Sequence, residues 1–215
     1  MKVAILGGTG SFGGALATRL AAVGGDEIVI GSRDESRARE DAAALGPGVT
    51  GATNEEAVRG VDLAVLAVKA DGALETARAV AAALGSTPLL SVAASLSFGP
   101  GGVRPDPEAL SLAERIQAVV QGPVVAGLHS IAASNLDEGP PIEDALVCGD
   151  DEEAKKLALA LVAKVVAGRA LDAGPLAGAR TLEGLTAVIV NLNKRYRAHA
   201  GITVTGVARP GSTGE

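Results

Sequence analysis

The chain has 215 residues, 47% of them hydrophobic, and a formal net charge of −6. That length suits one large domain or a main domain with a small appendage, and the acidic balance argues against nucleic acid as a partner. Phe12, Phe98 and Tyr196 are the only aromatic residues, which excludes a base-stacking surface, and one cysteine with two distant histidines leaves no metal site to expect.

Lys2–Leu6 is an apolar run that predicts the first strand. It follows Met1 directly, so no secretory leader is expected. The longest uncharged run, 79–103, is too broken by glycine and proline for a membrane helix, and a cytoplasmic protein without membrane partners is expected. Gly7-Gly8-Thr9-Gly10-Ser11-Phe12-Gly13 comes next. Gly8, Gly10 and Gly13 fit G-x-G-x-x-G between a strand and a helix, the context a dinucleotide-binding loop requires. The first glycine permits the tight turn, the second lets backbone approach a pyrophosphate, and the third lets helix pack on strand. Gly8, Thr9, Gly10, Ser11, Phe12 and Gly13 are therefore the expected cofactor contacts, with free N–H groups and the helix dipole favouring phosphate.

Leu16, Leu20 and Val23 give residues 12–23 helical spacing, Gly24-Gly25 ends that helix, and Glu27–Gly31 reads as the second strand. An NAD enzyme usually keeps an acid at the end of this strand for the ribose 2′-hydroxyl. Here stand Gly31, Ser32 and Arg33, a hydroxyl and a guanidinium suited to a 2′-phosphate, and Arg37 adds a cation one turn later. The plain alternative is that both arginines are solvated surface charges. The expected cofactor is NADP(H).

Asp34–Leu45 suits an exposed helix, Val49–Gly51 a short strand and Asn54–Val58 a short helix. Asp62–Val68 is apolar without alternation, as a strand buried on both faces is, and Val68 at its end is assigned to the cofactor site. A helix over 71–84 and a strand over Pro88–Val92 continue the alternation, which predicts right-handed βαβ units in a Rossmann-type, doubly wound, mostly parallel α/β sheet. The stretch 94–107 reads as loop. Ser111–Glu114 has the form of a capping box opening a helix to about Val120. Pro123–Leu128 is another buried strand with His129 at its end, 130–144 reads as loop, and 146–148 as a short strand in which Cys148 is packing. Asp150–Glu153 begin a helix to about Val166, and Arg169–Gly174 is a last strand. From Leu182 a helix carries Asn191, Lys194, Arg195 and Arg197. The expected division is a dinucleotide-binding domain over 1–174, a small helical domain over 175–207 completing the active-site cleft, and a disordered tail over 208–215.

Val3 to Gly10, Ile30-Gly31-Ser32-Arg33, Leu128-His129-Ser130-Ile131, Val147 to Asp151 and above all Leu171-Asp172-Ala173-Gly174-Pro175-Leu176 form a distinctive set. Over nearly its whole length the chain resembles the F420-dependent NADP oxidoreductases, the NADPH-dependent reductases of the deazaflavin coenzyme F420. The resemblance implies hydride exchange between nicotinamide C4 and deazaflavin C5, in which orientation of two stacked rings in a dry pocket carries most of the acceleration. It places His129 beside the deazaflavin; read from its position at a strand's carboxyl end, His129 is a candidate for binding there and for proton donation, or a histidine that merely caps the strand. It has the backbone of Ser130 and Ile131 line the same pocket, Gly201–Val204 close beside the site, and the protein form a homodimer. Ala132 departs from the family, which often has proline there, and so does Ala93-Ala94-Ser95. Lys194, Arg195 and Arg197 suit either the anionic tail of the coenzyme or their own helix dipole. Two rival readings remain: an NADPH-dependent reductase of a flavin, ferric chelate, imine or keto acid, and a non-catalytic NADP(H)-binding redox sensor.

Overall fold

A computed structural model describes residues 1–207; the tail expected at 208–215 lies outside the described residues. Strand β1 (Lys2–Leu6) has Val3 and Ile5 in one core and Ala4 and Leu6 in another, as side chains alternate across a pleat. Burial on both faces is why the run is apolar throughout. From one edge the sheet runs β3 (Val49–Thr53), β2 (Glu27–Ser32), β1, β4 (Leu63–Leu66), β5 (Leu89–Ser91), β8 (Val124–Gly127), β9 (Ala145–Gly149) and β10 (Ala170–Asp172). All neighbours are parallel except β8 and β9.

Helices α1 (Ser11–Val23), α2 (Glu35–Leu45) and α7 (Glu152–Val165) bury alanine, leucine and valine in the core of Val3 and Ile5. On the other face α3 (Asn54–Ala57), α4 (Ala70–Leu84), α5 (Leu112–Gln117) and α8 (Ala179–Tyr196) cover Ala4, Leu6, Ala64 and Leu66. Asp34, Thr53, Ser111 and Asp151 each accept a backbone N–H at a helix start, and Thr53–Glu56 and Ser111–Glu114 are complete capping boxes. Such a cap contributes about 1 kcal/mol. Small residues bring layers close: a Cβ on Gly51 of β3 would lie 2.3 Å from the Ala38 carbonyl of α2.

The chain winds outward from β1 to β2 and β3, then crosses back to β4 on the other side of β1. That reversal opens a crevice at the carboxyl ends of β1 and β4, where doubly wound sheets take ligands. Because β9 runs antiparallel to β8, its amino end lies on this same edge.

The structure corrects several boundaries. The stretch 94–107 is not plain loop but holds a hairpin, β6 (Leu96–Gly99) and β7 (Gly102–Pro105), turned at Gly102 with φ +99°. Its composition hides it because its partner is remote: the Asn191 amide on α8 donates to the Val103 carbonyl and accepts from its N–H, both at 2.8 Å. The loop expected over 130–144 contains α6 (Ala133–Glu138), held by Leu136 in the core. Helix α5 stops at Gln117, whose side chain turns back to Gly122 and Val124, and α8 starts at Ala179 rather than Leu182. Among the described residues no helix is long and apolar enough to cross a membrane.

Candidate active site

Gly7 bends the chain at φ +78°, and the N–H groups of Gly7 and Gly8 both donate to the Gly31 carbonyl at 3.0 and 3.2 Å. The loop is thereby fastened to β2. A Cβ on Gly13 would stand 2.4 Å from the Gly7 oxygen, and one on Gly8 would stand 2.8 Å from the Ile30 side chain. Only glycine lets α1 begin this close. Exposed Gly10 precedes α1, no side chain caps the helix, and its first turn has no acid. The first N–H groups of α1, from Ser11 to Gly13, therefore lack intrahelical partners and form an anion seat. Phe12 turns its ring onto the core, so only its backbone is available there.

Ser32 is buried, accepts from the Asp34 N–H at 3.1 Å and stands 3.4 Å from the Thr9 hydroxyl. Arg37 donates to the Thr9 carbonyl at 3.1 Å. Thr9, Ser32 and Arg37 thus converge beside the glycine loop, with exposed Arg33 next in sequence and in no ion pair among the described residues. Asp34, the nearest acid in sequence, is occupied as the cap of α2. Half-buried Val68 reaches the loop as well, with Cγ1 2.7 Å from a Cβ built on Gly7. An open helix start, a cradle that a Cβ would fill and two cations together fit a dinucleotide carrying a 2′-phosphate.

His129, Ser130 and Ile131 gather at the other end of the edge, three strand spacings or ~14 Å from β1. Leu128 takes φ +62°, rare for a residue with a side chain, and turns the chain after β8. His129 is 5% exposed. Burial drives its imidazole down to about 4, against the opposing pull of the Ala93 and Gly127 backbone, so the ring is neutral near pH 7. Its Nδ1 is buried without a hydrogen-bond partner among the described residues. Ser130 donates its hydroxyl to the Asp144 carbonyl at 2.8 Å, and the Ile131 N–H donates to the Leu128 carbonyl at 3.0 Å. Both side chains are buried, leaving backbone as what they can offer.

The sequence reading missed the polar fastenings of α8. Thr186 donates to the His129 carbonyl at 2.9 Å, and buried Glu183 accepts the Leu112 N–H at 2.7 Å and Arg180 at 3.2 Å. Burial pushes the Glu183 carboxyl up despite these donors. The available signal was an acid on the apolar face of an amphipathic helix. Lys194, Arg195 and Arg197 are exposed, with Lys194 5.0 Å above the Phe98 ring. Hollows of about 260 Å³, between α6, residues 139–143 and His199, and about 450 Å³, at the amino ends of β1 to β3, do not touch the glycine loop.

A family described as NADP oxidoreductase coenzyme F420-dependent matches residues 2–95, the half that holds the phosphate cradle. An F420-dependent NADP reductase of Methanocaldococcus jannaschii is 32% identical over 96% of this chain and 99% of its own length. That of Methanothermobacter marburgensis is 35% identical with the same coverage. The chain belongs to the coenzyme F420-dependent NADP oxidoreductases. The fold of this family member is shared by the crystal structure of a candidate F420-dependent NADP reductase from Arthrobacter sp. FB24. Its TM-score is 0.83 at 27% identity, covering 95% of this chain and 99% of that one.

If the 2′-phosphate rests on Arg33, Arg33→Ala raises the KM for NADPH about 10- to 100-fold, the value of one charge-assisted contact, and leaves that for NADH nearly unchanged. Steady-state kinetics with both dinucleotides checks this, and an equal change in both refutes it. His129 makes a second prediction. Its folded value lies below 6.5, so protonation favours the unfolded chain. The stabilisation is complete above pH 6.5 and is lost as pH falls from 6.5 towards 4. About 2 kcal/mol disappears between pH 7 and 5 in urea unfolding, and His129→Gln removes that dependence.

Proposed function

We propose that this chain exchanges a hydride between NADP(H) and the deazaflavin coenzyme F420. The observation that carries this reading is the match, along 96% of the chain, to F420-dependent NADP reductases. The phosphate cradle supports the NADP(H) half independently. In balanced form, NADPH, oxidised F420 and one proton give NADP+ and reduced F420; the nicotinamide C4–H bond breaks as a C–H bond forms at deazaflavin C5.

The protein's work is orientation. Backbone N–H groups from Ser11 to Gly13 hold the pyrophosphate, which the small Gly8 and Gly10 let approach, and Thr9, Ser32, Arg33 and Arg37 hold the 2′-phosphate. Val68 lies along the dinucleotide where it leaves the loop. At the other end His129, with the backbone of Ser130 and Ile131, faces the deazaflavin. A neutral imidazole offers one N–H and one lone pair, and its otherwise partnerless Nδ1 suits a polar atom of that ring. With a value of about 4 it has no proton to give near pH 7, so solvent supplies the proton and His129 acts by hydrogen bonding. Residues 175–207 cap the cleft, as the Thr186 bond to His129 suggests.

The reaction is read by adding NADPH and oxidised F420 to the purified chain and following loss of the deazaflavin's visible absorbance, with FMN and a cyclic imine in parallel. Turnover of F420 alone is expected, and His129→Ala should raise the KM for F420 about tenfold while sparing that for NADPH. Intact NADPH binding without F420 reduction would sink the proposal and favour a sensor or another acceptor. The reading also makes the protein a cytoplasmic homodimer. Val188, Leu192 and Tyr196, four apart on α8, expose one apolar face, which suits a second copy. Sedimentation should show a dimer that Leu192→Glu weakens; a wild-type monomer would refute it.

A further inference from the structure

We propose that Asp144 and Arg169 are positioning residues for the acceptor substrate, fastening the extended segment 202–207 along the part of the sheet edge that the dinucleotide leaves free. The inference rests on the F420 reading above. Its starting point is topology. Asp144 immediately precedes β9 and Arg169 immediately precedes β10, and the reversal of β9 puts both on the edge that carries the glycine loop. Four strand spacings, ~19 Å, separate β9 from β1. The pair is thus remote from the phosphate cradle and adjacent to the acceptor end. Ser130, next to His129, donates its hydroxyl to the Asp144 carbonyl at 2.8 Å.

The pair is 1% exposed at Asp144, and its hydrogen-bonding capacity is spent on the segment. Asp144 Oδ1 accepts the Arg169 N–H at 2.8 Å and its Nε at 3.1 Å. Oδ2 accepts Arg169 Nη2 and the Val204 N–H. Two of the remaining guanidinium hydrogens go to the carbonyls of Val204 and Val207, and the Asp144 N–H donates to the Ile202 carbonyl at 2.8 Å. An arginine fork, planar and always charged, holds two carbonyls and a carboxylate at once where lysine holds a point. The Arg169 guanidinium also holds the Asp144 carboxyl well below the usual carboxylate range, so the lock stays charged in neutral solution.

Segment 202–207 lies in neither helix nor strand, and Thr203, Thr205, Gly206 and Val207 are exposed. With so little apolar burial its course depends on these polar bonds. Just before it, a Cβ on Gly201 would stand 1.9 Å from Glu143 Cγ, so the segment starts flush against the residue that precedes Asp144. Held in this way, the Ile202 carbonyl and the Ser130 hydroxyl meet at the same backbone, that of Asp144, which on this proposal sets the segment against the β9 side of the acceptor end.

The test compares the full chain with Arg169→Ala, Gly201→Ala and the double variant. KM and kcat for oxidised F420 and for NADPH are measured, with hydrogen exchange of the 202–207 amides. Each single variant should raise the KM for F420 about tenfold, leave that for NADPH unchanged and speed exchange of the segment. The double variant should be no worse than Arg169→Ala alone, because both act through one segment. An unchanged F420 KM, or equal rises for both substrates, overturns the inference, as does strict additivity. If Arg169→Ala fails to fold, Gly201→Ala, which keeps the ion pair, decides by the same criteria. A wild type that leaves F420 unreduced overturns the parent reading and this inference together; a working wild type matched by its variants overturns this inference alone.

Discussion

No Cβ can stand between the start of α1 and the end of β1, and the dinucleotide site depends on that absence. Gly13 against the Gly7 oxygen lets the helix begin almost on top of the strand. The Gly31 carbonyl then takes two loop N–H groups and locks the loop to the neighbouring strand. The remaining N–H groups of the helix start are free for an anion because no side chain among the described residues caps them. Ser32 and Arg33 follow Gly31 directly, so the bond that fixes the loop also fixes the residues proposed to read the ribose phosphate. One close contact thereby fixes the glycine loop and the Ser32–Arg33 pair relative to each other.

The acceptor end is built on a different principle. There the sheet reverses direction at β9, and polar side chains join parts that the apolar packing of Leu128, Leu136 and Leu182 brings together: Thr186 to the His129 carbonyl, Glu183 to α5, Asn191 to the hairpin, and Asp144 with Arg169 to the segment after α8. Buried polar joints are directional and costly to leave unmade, which suits a region that must hold a fixed geometry. His129 illustrates the consequence. Burial makes its ring neutral and leaves one nitrogen without a partner, a combination suited to hydrogen bonding rather than to proton storage.

Hydride exchange between two flat rings needs little acid–base chemistry, and the site contains little. Its charges lie at the two margins, Arg33 and Arg37 on one side and the Asp144–Arg169 ion pair on the other. The middle is backbone, aliphatic side chain and neutral imidazole. That division agrees with a chain of only three aromatic residues.

The alternation of strands and helices, the glycine loop, the Ser111–Glu114 box and the Ser32–Arg33 signal were legible in the sequence, since each is decided by residues a few positions apart. Apolar periodicity fixes element type, and glycine spacing fixes a turn. The hairpin at 96–105 was not legible because its strands are completed by Asn191, 88 residues from Val103. Helix α6 was hidden among residues with loop composition, and Glu183 among the apolar positions of α8. The burial of His129 and the bond of Asp144 to Arg169, 25 residues away, arise from which strands become neighbours and from the reversed direction of β9. By itself the sequence determined the βαβ architecture and a site for a phosphorylated dinucleotide, because local spacing encodes both. Only the tertiary structure decided how the acceptor end is assembled, because its joints are polar bonds between residues that the chain holds far apart.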